Sequence, residues 1–123
     1  MNRPAIVSRI QAVLSPNLLY PAWRKHELLN KNYVAGHCYT ASEVLYHLWG
    51  KQRGFTPHQV EVETAVGWVS HWYLQRESDI LDPTSEQFGT REIPYHAGVT
   101  RGFLTKRPSK RAQEILRRMR VKV

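Results

Sequence analysis

The order of hydrophobic periodicities predicts an α+β fold, in which N-terminal helices, one of them bearing the cysteine, pack on a small antiparallel sheet and a basic helix closes the chain. Three observations carry this. Cys38, Ala41, Val44, Leu45, Leu48 and Trp49 recur at steps of three and four, one face of a helix of about three turns. Val60, Val62, Thr64 and Val66 then alternate with Glu61, Glu63 and Ala65, and the aromatic-rich run Gly67 to Leu74 follows directly, the pattern of adjoining strands. Near the end, Ala112, Ile115, Leu116 and Met119 return to helical spacing within a basic segment.

Taken in order, Asn2 can cap a first helix whose opening turn accepts Pro4 and whose apolar stripe is Ile6, Ile10, Val13 and Leu14. Trp23, Leu28 and Leu29 fit a short second helix after Pro21, closed by the polar turn Asn30-Lys31-Asn32. Tyr33 to Gly36 reads as an extended approach to the cysteine helix, which Gly50 is expected to stop in a left-handed conformation. Lys51 to Gly54 is a polar loop, and Thr56-Pro57 a break before the strands. Arg76 to Asp79 is a turn, Ile80 to Asp82 a short third strand ended by Pro83, and a fourth extended piece is expected near Ile93 within a loop running from Ser85 to Leu104. Ser109 can cap the last helix.

The bulk properties exclude several classes. A chain of 123 residues fits one domain, 1–123, with a core that needs no disulfide or metal. One cysteine cannot form an internal disulfide, which fits a reducing compartment and a cytoplasmic location. The N-terminus lacks the pattern of a secretion signal, and no apolar run approaches the roughly 20 residues of a membrane span. Net charge is +8, and nine of the 18 basic residues but only one of the ten acids, Glu114, fall within 101–123. The first 100 residues are therefore neutral, and the sequence reads as a neutral body with a separable basic tail. Its outward side would carry Arg107, Lys110, Arg111, Arg117, Arg118 and Arg120, a surface for nucleic acid or an acidic protein.

The chemistry-bearing residues form a constellation. Cys38 opens its helix after Gly36-His37, where unpaired N–H groups and the positive end of the helix dipole favour an anion, the setting a thiolate nucleophile needs. If the hairpin turns about Arg76 to Asp79, Gln75 lies opposite Ile80, and Asp82 sits diagonally from His71 on one sheet face, about 7–8 Å away at Cα. A one-residue slip would send Asp82 to the other face. Each residue alone has a structural reading: a buried thiol, a core histidine, an Asp-Pro-Thr turn. Together they fit nucleophile, base and orienting acid. The backbone N–H of Cys38 is the first candidate for an oxyanion donor, with Asn32, Tyr33, His37 and Trp72 as further oxyanion or substrate-contacting candidates. Zinc is disfavoured: Cys38 and His47 are more than two helical turns apart, and no second ligand pair has zinc spacing. No cofactor or metal is expected.

Cys38 at a helix start, Ser70-His71-Trp72 in a strand and Leu81-Asp82-Pro83-Thr84 in the next together resemble the core of the transglutaminase-like cysteine enzymes, a branch of the papain-like superfamily. The resemblance spans Gly36 to Thr84 and implies a Cys38–His71–Asp82 triad that forms a thioester with a carboxamide or acyl substrate and passes it to water or an amine. The chain is short for that family, which favours hydrolysis. The expected function is thus cleavage or transfer of an acyl group at an amide, isopeptide, ester or thioester bond in a peptide, protein or small substrate. The alternative is a non-catalytic binding module acting through the basic helix.

Overall fold

The structure is a computed structural model that describes residues 2–14, 37–64, 67–88, 91–103 and 105–120. Among these, three α-helices and a four-stranded antiparallel sheet form the α+β fold that the periodicities predict. Helix α1 (Arg3–Ala12) starts where expected: Asn2 Oδ1 accepts the Ala5 N–H at 2.9 Å, Pro4 sits in the first turn, and Ile6 and Ile10 are buried. The expected helix after Pro21 and the approach from Tyr33 to Gly36 lie outside the described residues.

Helix α2 (Cys38–Leu45) is buried nearly all round, with only Tyr39 half-buried. The single apolar stripe of the sequence understates this, because Thr40, Ser42 and Glu43 are covered as well. The chain then continues as a π-turn over Tyr46–Gly50 and a 3₁₀ turn over Lys51–Arg53 before Gly54, at φ +81°, ends it. Gly50 is therefore not the stop: its φ is −72°, within the helical range. A glycine is needed there for packing, since a Cβ would lie 2.9 Å from Leu74 Cδ1 and 3.4 Å from Phe55 Cβ.

The sheet runs β3-β2-β1-β4, with β1 spanning Thr56–Thr64, β2 Gly67–Arg76, β3 Asp79–Leu81 and β4 Val99–Thr100. Pro57 does not break the chain; it lies in β1 opposite Leu74, next to the strand's first residue, and its carbonyl accepts the Arg101 N–H at 3.0 Å. The fourth strand is not at Ile93 but at Val99–Thr100, paired with Gln59 and His58, while Ile93 packs against the sheet from a loop. The hairpin from β2 to β3 has the expected register, Gln75 opposite Ile80, and turns through Glu77 at φ +54°, as the primed two-residue turns require.

Helix α3 (Lys110–Met119) buries Ala112, Ile115, Leu116 and Met119, as the spacing predicts, but it is not a separable tail. Ser109 caps it, accepting the Ala112 N–H at 3.2 Å, while Glu43 of α2 accepts the Ser109 N–H at 2.8 Å and the Ser109 hydroxyl at 2.6 Å. This is a capping box whose carboxylate comes from another helix. At the other end, Arg9 of α1 donates to the Met119 carbonyl at 2.7 Å. An acid at the N-terminus and a base at the C-terminus both oppose the helix dipole. The main core lies among the three helices, Phe55, Leu74 and Leu81, and a second cluster of Val60, Val62, Val69, Tyr73 and Phe88 covers the opposite sheet face. No described helix is long and apolar enough to cross a membrane.

Candidate active site

Strand parity sorts the residues of β2. His71 shares a face with Val69 and Tyr73 and with its cross-strand partner Val60; Ser70, Trp72 and Leu74 point the other way. Leu81 pairs with Leu74, so Asp82, one residue on, returns to the face of His71, the side the sequence register assigned. The ladder itself stops at Leu81, and a turn over Pro83 and Thr84 holds Asp82 instead. Thr84 N–H donates to Asp82 Oδ1 at 3.1 Å, and Gln11 of α1 donates to the Pro83 carbonyl at 2.8 Å.

The edge of β2 explains where the thiol goes. The two-residue turn makes Arg76 and Asp79 the closing pair, so the polar groups of residues 76, 74, 72 and 70 point to the side of β3. β3 pairs only with Leu74 to Arg76. Side chains of α2 meet the two carbonyls beyond it: the Cys38 thiol donates to Ser70 O at 3.7 Å and the Ser42 hydroxyl to Trp72 O at 3.1 Å. Four helical residues advance about 6 Å and two strand residues about 6.6 Å, so the two contacts match in pitch.

This placement brings Cys38 to His71. The imidazole is fully buried, with Nε2 2.6 Å from Asp82 Oδ2, and it is also hydrogen-bonded to the Cys38 side chain, for which Nδ1 is the nitrogen left. Phe88 meets the ring edge-on at 4.9 Å between centroids, and Tyr73 stacks at 6.1 Å. Burial lowers the proton affinity of His71, but the hydrogen bonds and charges of Asp82 and Cys38 outweigh it and raise the pKa to about 9. Tyr95, on a 3₁₀ turn over Tyr95–Ala97, donates its hydroxyl to Asp82 Oδ2 at 2.7 Å. No spacing rule singles out Tyr95, which lies in a stretch with no periodicity between Pro94 and Gly98.

The other candidates separate from this group. Trp72 is on the opposite face, in an aromatic cluster with Tyr39 (4.8 Å) and Phe103 (5.7 Å), and does not join His71. Asn32 and Tyr33 lie outside the described residues. His37 precedes the thiol and is buried, and among the described residues neither of its ring nitrogens has a hydrogen-bond partner. Burial first, and the charge of Arg118 second, push its pKa down to about 4. Within α3 and its lead-in, Arg107, Lys110, Arg117 and Arg120 are exposed. Arg111 is half-buried, and Arg118 leans on Glu114 and on the Val13 carbonyl. Among the described residues no group of three or more His, Cys, Asp or Glu side chains is arranged to hold a metal ion. A cleft of about 390 Å³ is lined by Glu63, Trp68, Arg91, Glu92, Pro94 and His96, so that Tyr95 points inward to Asp82 while its two neighbours face the cleft.

Comparison with protein-family models, with curated proteins and with solved structures gives no match.

The two shifted histidines predict the pH dependence of stability. His71, raised to about 9, contributes stability that is fully present below its unfolded value near 6.5 and is lost as pH rises through 9. His37, lowered to about 4, must take up a proton on unfolding below 6.5, so stability falls as pH drops from 6.5 towards 4. Urea denaturation across this range should show a maximum near pH 6.5. His37→Gln should flatten the acid side and His71→Gln the alkaline side; slopes unchanged in both variants would contradict the assignment.

Proposed function

We propose that the chain is a small cysteine enzyme that cleaves or transfers an acyl group at an amide, isopeptide, ester or thioester bond. Cys38 is the nucleophile, His71 the general base and acid, and Asp82 the group that orients His71 and balances its charge. The observation that supports this most is the double engagement of His71, hydrogen-bonded to Asp82 at 2.6 Å and to the thiol of Cys38 on an adjacent helix. A histidine serving only the core needs one acceptor. It does not need a thiol at a helix N-terminus on its remaining nitrogen. The order Cys38, His71, Asp82 and the Asp82-Pro83-Thr84 run support the same reading through their resemblance to the transglutaminase-like enzymes.

In the proposed reaction the Cys38–His71 pair reacts with the proton already on His71, as its raised pKa requires, and the sulfur bonds to the substrate carbonyl carbon, whose π electrons move onto oxygen. The Cys38 N–H, in a first helical turn that lacks a side-chain cap at His37, is the donor assigned to that oxygen. Collapse breaks the bond to the amine or alcohol, which leaves with the proton from His71. Water then adds to the thioester, giving its proton to His71. The C–S bond breaks, and the sulfur is left beside the protonated His71, as at the start.

Chloroacetamide should label Cys38 at pH 7 at least about tenfold faster than it labels glutathione. His71→Ala should slow turnover by about 100-fold or more and Asp82→Asn by a comparable factor, each rate taken per folded molecule. Turnover should also fall as pH rises through about 9, where His71 loses the proton the leaving group needs. A thiol that reacts only after unfolding, or variants that lose rate only in proportion to their unfolded fraction, would refute the assignment.

A polyanion-binding role for the basic segment, as an accessory to this chemistry or as the function itself, draws support from α3: its apolar side is buried while Arg107, Lys110, Arg117 and Arg120 remain exposed. Binding to duplex DNA should weaken with salt at a log–log slope near −0.9 per phosphate neutralised. Arg107→Glu, Lys110→Glu and Arg120→Glu together should abolish it without touching turnover of a small neutral substrate. Absent or salt-independent binding would remove this role.

A further inference from the structure

A single oxygen of Asp82 receives two donors. Oδ2 accepts from His71 Nε2 at 2.6 Å and from the Tyr95 hydroxyl at 2.7 Å, while Oδ1 accepts the Thr84 N–H at 3.1 Å. β3 ends one residue earlier, so no strand pairing fixes Asp82, and its side chain must be held by such contacts. Tyr95 is itself anchored. The Tyr73 hydroxyl donates to the Tyr95 carbonyl at 3.3 Å, the two rings meet edge-to-face with centroids 4.9 Å apart, and Gly98 N–H donates to the same carbonyl at 2.9 Å. Gly98 makes that closure possible, because a Cβ there would stand 1.8 Å from the Tyr73 hydroxyl oxygen. Tyr73 in turn stacks on His71.

We propose that Tyr95 is a positioning residue of this site, holding the Asp82 carboxylate in the orientation in which Oδ2 faces His71 and so fixing the imidazole against Cys38. Tyr95 acts through Asp82 and has no role at the thiol or the substrate. A phenol suits the task, since beside a carboxylate it donates, and burial together with the Asp82 charge pushes its pKa up, so it keeps its proton. The titratable groups facing the Asp82–His71 pair are Cys38 from α2, Tyr73 from β2 and Tyr95 itself. The consequence for rate rests on the catalytic reading of Cys38, His71 and Asp82; the consequence for the titration of His71 does not.

The test is an NMR titration of the His71 ring in wild type, Tyr95→Phe and Asp82→Ala, run beside chloroacetamide labelling of Cys38 at pH 7. With Asp82 no longer held towards His71, the His71 midpoint in Tyr95→Phe should fall by about one pH unit and labelling should slow about tenfold, with the melting temperature little changed. Because Tyr95 works through Asp82, adding Tyr95→Phe to Asp82→Ala should have no further effect on either readout. A midpoint within about 0.3 unit of wild type, a raised midpoint, or additive effects in the double variant would overturn the proposal. Should Tyr95→Phe not fold, Tyr73→Phe, which removes one of the two donors to the Tyr95 carbonyl, should shift the midpoint in the same direction by a smaller amount, and no shift there would overturn it. If labelling is slow in wild type while the midpoint still falls in Tyr95→Phe, the positioning role stands and the catalytic reading is what fails.

Discussion

Because β3 is only three residues long, β2 presents the carbonyls of Ser70 and Trp72 along an edge that no described strand covers, and α2 is laid against that edge. Unpaired carbonyls at a buried edge are costly. Here a thiol and a hydroxyl one helical turn apart meet them. The same geometry brings the first turn of α2, and with it Cys38, beside His71. Lengthening β3 by two residues would compete for those carbonyls and push the helix away. The arrangement of the candidate site is thus a consequence of where one strand stops.

Buried charge follows a similar logic. Glu43 is fully buried, yet it faces the N-terminus of α3 and accepts both donors of Ser109. Asp82 accepts from His71, Tyr95 and the Thr84 N–H. Each carboxylate ties a segment distant in sequence to the central helix or to the strand beside it. Removing one donor from such a site leaves desolvated charge behind, so these contacts fix geometry more than they add stability. At the periphery, Arg3 forks onto Asp79 at 2.9 and 2.7 Å, holding α1 to the hairpin tip, but both side chains are about one-third exposed and the pair contributes little.

Much of this was legible in the residues. Caps at Asn2 and Ser109, the stripe of α3, the hairpin turn and the pairing of Gln75 with Ile80 follow from local rules, and local rules placed Asp82 on the face of His71. What failed was set by distant contacts. Gly50 has the composition of a helix stop but is a packing glycine against Leu74, and Gly54 ends the helix instead. The charge imbalance of 101–123 suggested a separable basic segment whose apolar stripe docks on the body, but nothing local reveals that Glu43 and Arg9 bind the two ends of α3. Trp72 and His71 are neighbours in sequence, yet a strand sends them to opposite faces. Tyr95 lies in an aperiodic loop, and its role depends on a contact 13 residues away that no spacing rule encodes.

The proposed attack of Cys38 on a carbonyl beside the protonated His71 is read most directly in the covalent intermediate itself. The protein would be mixed briefly with a small activated ester, quenched in acid and read by intact and peptide mass spectrometry. One acyl group is expected on Cys38 in wild type, released by hydroxylamine as a thioester is, with none on Cys38→Ala and little on His71→Ala. Acylation of lysines alone, or equal labelling of Cys38 with and without His71, would contradict it.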